Sequence, residues 1–145
     1  MKRAKQLQPV GQLMDELERE SALRVAAAQT RLSEAQHRCE ELQRYLEEYR
    51  SMFARRAKAG IGVAGMRDYQ VFIARLDEAV RAQQSVVTQL GEECRRERDT
   101  WCQAAARKTA VEKAIGKAQS QERAAEDRRA QREQDDRAQR SRGAV

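Results

Sequence analysis

The sequence predicts an all-α fold: two long helices in an antiparallel coiled-coil hairpin, the second helix the longer. Three observations carry this. Of the 145 residues, 36% are charged and only 4% aromatic, with one proline, which is too little bulk for a thick globular core but enough for a narrow apolar seam. Two long segments repeat apolar residues at alternating steps of three and four. Between them lies a single short glycine-rich break.

In the first segment Val25, Ala28, Leu32, Ala35, Cys39, Leu42, Leu46, Tyr49 and Phe53 mark an unbroken a/d seam, the two core positions of the heptad abcdefg. Upstream, Val10, Met14 and Leu17 extend an apolar stripe at a different step, so a phase slip is expected near Ser21 and Arg24. The break reads Gly60-Ile61-Gly62-Val63-Ala64-Gly65, which spells G-x-G-x-x-G. That fingerprint binds a dinucleotide only where a buried strand turns into a helix. Here it follows a helix, so the glycines are read as a stop and a tight reversal.

The seam resumes at Tyr69, Ile73, Leu76, Val80, Gln83, Val87, Leu90 and Cys94. It continues through Glu97, Trp101, Ala104, Lys108, Val111, Ile115 and Ala118. The expected boundaries are a first helix over about 11–58, a turn over about 59–66 and a second helix over about 67–138, in one domain. Residues 1–8 and 139–145 are expected to be disordered. A turn centred on Gly60–Gly62 makes facing positions add to about 122, setting Leu46 against Leu76 and Leu42 against Val80. A slip by one heptad, to about 129, sets Phe53 against Leu76 and stays open.

The three cysteines and single histidine do not form a metal site on this pattern. His37 falls at a solvent-facing f position, Cys39 and Cys94 lie in different seam layers, and Cys102 is at b. Zinc ligands must converge within a few ångströms. Acidic pairs such as Glu47-Glu48 and Asp135-Asp136 have no concave pocket to shift their pKa or exclude water. The reading is a binding protein without cofactor or metal rather than an enzyme.

The net charge of +6 raises nucleic acid as a partner. From Gln121 onward, however, seven arginines are interleaved with six acids, which reads as a solvated helical face. The clearest basic excess is Lys2, Arg3 and Lys5. No apolar run reaches the ~18 residues of a membrane span, and the basic start shows no apolar signal segment, so a cytoplasmic protein is expected.

Apolar residues in excess of the seam point to function. Tyr45, Met52, Phe72, Ala79 and Val86 all occupy g, beside the seam, and g faces g in an antiparallel pair. The reading is a partner-binding patch, or alternatively a widened core near the turn. Farther along, Arg31 and Glu93 take the same relation as an ion pair.

These residues also carry a resemblance. Tyr45, Glu48, Tyr49 and Arg50, then Gly60-Ile61, then Tyr69, Gln70, Phe72, Ile73 and Leu76 resemble the pattern of the flagellar export protein FliJ family, and Trp101 and Lys108 fit it. The resemblance implies a coiled-coil stalk of the flagellar type III export apparatus, acting in the cytoplasm and at the cytoplasmic face of the inner membrane. Its implied partners are the export ATPase hexamer, the cytoplasmic domain of the export-gate membrane protein, and export chaperones. Membrane association is implied through those partners alone, and no specific nucleic acid. Carried over by position, the gate contacts are Leu42, Tyr45, Tyr49, Phe72, Leu76, Ala79 and Gln83. The ATPase contacts fall in the terminal parts, at Leu13, Leu17, Arg24, Trp101 and Lys108. Alternatives are the stalk of a virulence type III secretion system and a coiled-coil adaptor that binds nucleic acid non-specifically. An amphipathic helix lying on a membrane is disfavoured because the apolar stripe is used in the hairpin.

Overall fold

The computed structural model describes residues 2–144. It consists of helix α1, Lys2–Ala59, and the longer helix α2, Val63–Gly143, packed on each other as an antiparallel hairpin. Both helices run farther than the apolar pattern predicts. Residues 2–8 and 139–143, expected to be disordered, are helical, while residues 1 and 145 of that expectation lie outside the described residues. The chain divides into two compact units. A turn unit spans Ala22–Thr100; a terminal unit joins the chain up to Ser21 with the chain from Trp101 onward.

The turn is three residues long, and each nearby glycine has its own role. Gly60 has φ +86°, the left-handed conformation that ends a helix and that side chains resist. Gly62 accepts the N–H of Met66 at 3.0 Å, opening α2, and a Cβ there would meet nothing within 4 Å. Gly65 makes room for Ile61, whose Cγ1 lies 3.0 Å from where a Cβ would stand. Accordingly Gly60→Ala is expected to destabilise by about 1–2 kcal/mol, whereas Gly62→Ala is expected to be neutral or slightly stabilising. Urea unfolding of the two variants separates them; equal midpoints would remove the special role of Gly60.

In the turn unit every predicted seam residue from Val25 to Phe53 and from Tyr69 to Glu97 is buried or half-buried. The register near 122 is the one adopted. Phe53 meets Tyr69 at a ring-centroid distance of 6.0 Å and Tyr49 meets Phe72 at 4.5 Å. Farther from the turn, Arg31 pairs with Glu93 at 2.8 Å. The physical reason is the turn itself: with α1 ending at Ala59 and α2 starting at Val63, a slip of one heptad has no chain to span it. Layers far from the turn are thin, with Ala28, Ala35, Cys39 and Cys94 buried, while Leu46 and Val80 fill the wider part. Gln83 occupies a seam position without an orphaned amide, because its Nε2 donates to the Ala35 carbonyl at 3.1 Å.

In the terminal unit the expected phase slip does not occur. The less exposed residues of α1 are Ala4, Leu7, Gly11, Met14, Glu18 and Ser21, still at steps of three and four, with Asp15 beside them. Val10 and Leu17, expected in the stripe, are exposed at g. Small and polar residues hold the seam because their neighbours are large or need a partner. Gly11 would place a Cβ 3.0 Å from Ile115 Cδ1, and Glu18 accepts the indole N–H of Trp101 at 3.0 Å. Ser21 is buried, its hydroxyl donating to the Leu17 carbonyl at 2.8 Å.

The early start of α1 has a cause of the same kind. Pro9 lacks an N–H, which argues for a helix beginning near it. Glu122 instead accepts the Ala4 N–H at 3.2 Å, satisfying one of the orphan donors of a helix N-terminus with a carboxylate where the helix dipole favours one. Beyond Glu122 all described residues of α2 are exposed.

Candidate partner-binding surfaces

The two sides of the turn unit differ chemically. On the side of the e positions α1 presents Gln36, Gln43 and Arg50 and α2 presents Asp77 and Gln84, with Arg50 3.8 Å from Asp77. On the side of the g positions lie Tyr45, Met52, Phe72, Ala79 and Val86. Tyr45 is 54% exposed and Phe72 42%, Val86 is exposed, and Met52 and Ala79 are half-buried. A pair of helices has no third element to cover this flank, so rings that fall beside the seam stay partly in water.

Phe72 is held in place from beneath. Its ring packs on Tyr49 with the planes tilted by 47°, an arrangement favoured by the aromatic quadrupole. Tyr45 has no aromatic neighbour among the described residues and stands among Glu41, Arg44 and Glu48. Farther from the turn lies a groove of about 610 Å³ whose lining includes Arg31, Arg38, Glu34, Glu41, Ala35, Val86 and Leu90. The apolar flank thus runs into a groove edged by residues of both charges.

Of the seven residues assigned to the gate, the structure brings all into the turn unit within two facing stretches, 42–49 and 72–83. Only Tyr45 and Phe72 are exposed. Leu42, Tyr49, Leu76 and Ala79 are half-buried, and Gln83 is engaged with Ala35.

The five residues assigned to the ATPase do not form one group. Leu13, Leu17, Trp101 and Lys108 belong to the terminal unit, whereas exposed Arg24 belongs to the turn unit. Leu13 and Leu17 are exposed, and Val10 joins them on the same side of α1. Val10 was missed as a surface residue because its apolar side chain fits a seam as well as a flank. Trp101 is partly exposed with its N–H held by Glu18, and Lys108 lies 3.5 Å from Asp15.

Cys39 and Cys94 are buried in separate layers of the turn unit and Cys102 is exposed. Among the described residues no three metal-binding side chains come together, and no helix is long and apolar enough to cross a membrane.

The family model described as flagellar FliJ protein matches residues 2–143. No curated protein and no solved structure matches the chain. The match takes in the turn and the whole of both helices, including the tyrosine-bearing stretch beside Phe72; the chain belongs to the flagellar FliJ protein family and is a flagellar export-related protein.

Proposed function

We propose that the protein is a non-catalytic stalk that binds the export ATPase ring through its terminal unit and the cytoplasmic domain of the export-gate membrane protein through the turn unit. It promotes ATPase assembly and coupling and handles substrate–chaperone complexes. It works in the cytoplasm, reaching the cytoplasmic face of the inner membrane with its partners. The observation that carries this reading is the one-sided flank of Tyr45, Phe72 and Val86, exposed on a hairpin whose other side is polar. Aromatic side chains of this kind are the usual anchors of protein interfaces.

For the ATPase, exposed Val10, Leu13, Leu17 and Trp101 in the terminal unit supply a second apolar surface. The family match supports the flagellar version of the stalk over the virulence version. The test is a pull-down with the organism's own export ATPase, followed by its stimulation. Deleting residues 124–145 spares Glu122 and its bond to the Ala4 N–H. This deletion is expected to weaken ATPase binding and leave the thermal unfolding of the turn unit unchanged. A truncated protein that binds and stimulates normally would remove the terminal stretch of α2 from the ATPase contact.

A further inference from the structure

The strongest local charge imbalance lies at the turn and not at Lys2, Arg3 and Lys5. From Tyr49 to Arg67 the chain has no acidic side chain, and it carries Arg50, Arg55, Arg56, Lys58 and Arg67. Arg50 has a partner in Asp77, and Arg56 lies 5.9 Å from the centre of the Tyr69 ring. Arg55, Lys58 and Arg67 are exposed and make no ion pair among the described residues. Between these cations the stretch Ala59-Gly60-Ile61-Gly62-Val63-Ala64-Gly65-Met66 has no polar side chain. Val63 is 81% exposed, far more than any seam residue. The turn is thus an apolar tip behind which stand exposed cations.

We propose that this tip docks directly on an anionic lipid bilayer, Val63 leading into the boundary between headgroups and acyl chains. Arg55, Arg56, Lys58 and Arg67 then meet the phosphates. The chemistry matches on both counts: cations near an anionic leaflet are attracted to it, and their long stems let the charge stay at headgroup level while an apolar apex enters. An acidic protein surface would satisfy the cations, but it gives no reason for a valine 81% exposed at the apex between them. The entry is shallow, because turn carbonyls cannot leave water without partners. The seam is not consumed, since its apolar residues stay between the helices. This contact goes beyond association through protein partners and does not rest on the stalk reading.

The test is cosedimentation of the full chain with phosphatidylcholine vesicles, with and without phosphatidylglycerol, at low and near-physiological salt. Expected is binding to the anionic vesicles alone, weakened by salt. Val63→Asn, which changes no charge, should weaken it about tenfold, and joint replacement of Arg55, Arg56, Lys58 and Arg67 by Gln should abolish it. Circular dichroism should show both variants helical, as every replaced side chain is exposed. A control that removes the same charge elsewhere, Arg128, Arg129, Arg137 and Arg140 to Gln, should bind like the wild type. Equal binding by the tip variants and the wild type overturns the proposal, as does greater loss in the control or unchanged binding of Val63→Asn. Failure to bind anionic vesicles at all also overturns it and makes an acidic protein surface the partner of the tip.

Discussion

Leu46→Ala is expected to destabilise the turn unit by about 2–5 kcal/mol, the usual cost of a buried leucine deletion and its cavity. Leu46 is 6% exposed, at a seam position, and lines the same groove as buried Val80. A two-helix seam has few residues per layer, so neighbours cannot collapse into the space from a third side. For a unit of this size each kcal/mol shifts Tm by roughly 4–8 °C, so the midpoint should fall by about 8 °C or more. The matched control is Leu23→Ala: Leu23 is in the same unit but 71% exposed, at an f position, and its loss should stay within about 0.5 kcal/mol. Thermal unfolding followed by circular dichroism compares the two. Similar midpoints for both variants would mean that the seam assignment is wrong at Leu46.

Tyr45→Ala and Phe72→Ala are expected to behave in the opposite way, with small effects on folding and large ones on binding. Both rings lie beside the seam and remain about half in water. Removing Tyr45 should cost on the order of 1 kcal/mol or less. Phe72 should cost somewhat more, because it also loses the ring contact with Tyr49, a type of pair worth about 0.5–1.5 kcal/mol. If each ring is an interface anchor, its removal is expected to cost ~2 kcal/mol or more of partner affinity, about thirtyfold at 1.4 kcal/mol per decade. Titration with the cytoplasmic domain of the export gate should show that loss, while ATPase binding persists because its candidate surface belongs to the terminal unit. Unfolding of the single variants would return these residues to a widened core. Loss of both partners without unfolding would mean that the two sites are not separable.

The sequence alone was sufficient where a single physical rule applied over many residues. The step of three and four from Val25 to Phe53 and from Tyr69 to Ala118 specifies two amphipathic helices, and one glycine-rich break makes them a hairpin. The same count places Tyr45 and Phe72 beside the seam, where the structure exposes them.

Tertiary structure decided the rest. Between Ala4 and Ser21 apolarity points to Val10 and Leu17, but the inward positions go to Gly11, Glu18 and Ser21. Gly11 faces Ile115 at close approach, and Glu18 is bound by Trp101. The start of α1 depends on Glu122, 118 positions from the Ala4 N–H it accepts. The choice between two registers waited on the turn, where positive φ at Gly60 confines the reversal to three residues. Periodicity reports which face of a helix can be buried. Which small or polar residue is tolerated there depends on the size and hydrogen bonding of the side chain opposite, and that neighbour is distant in the chain.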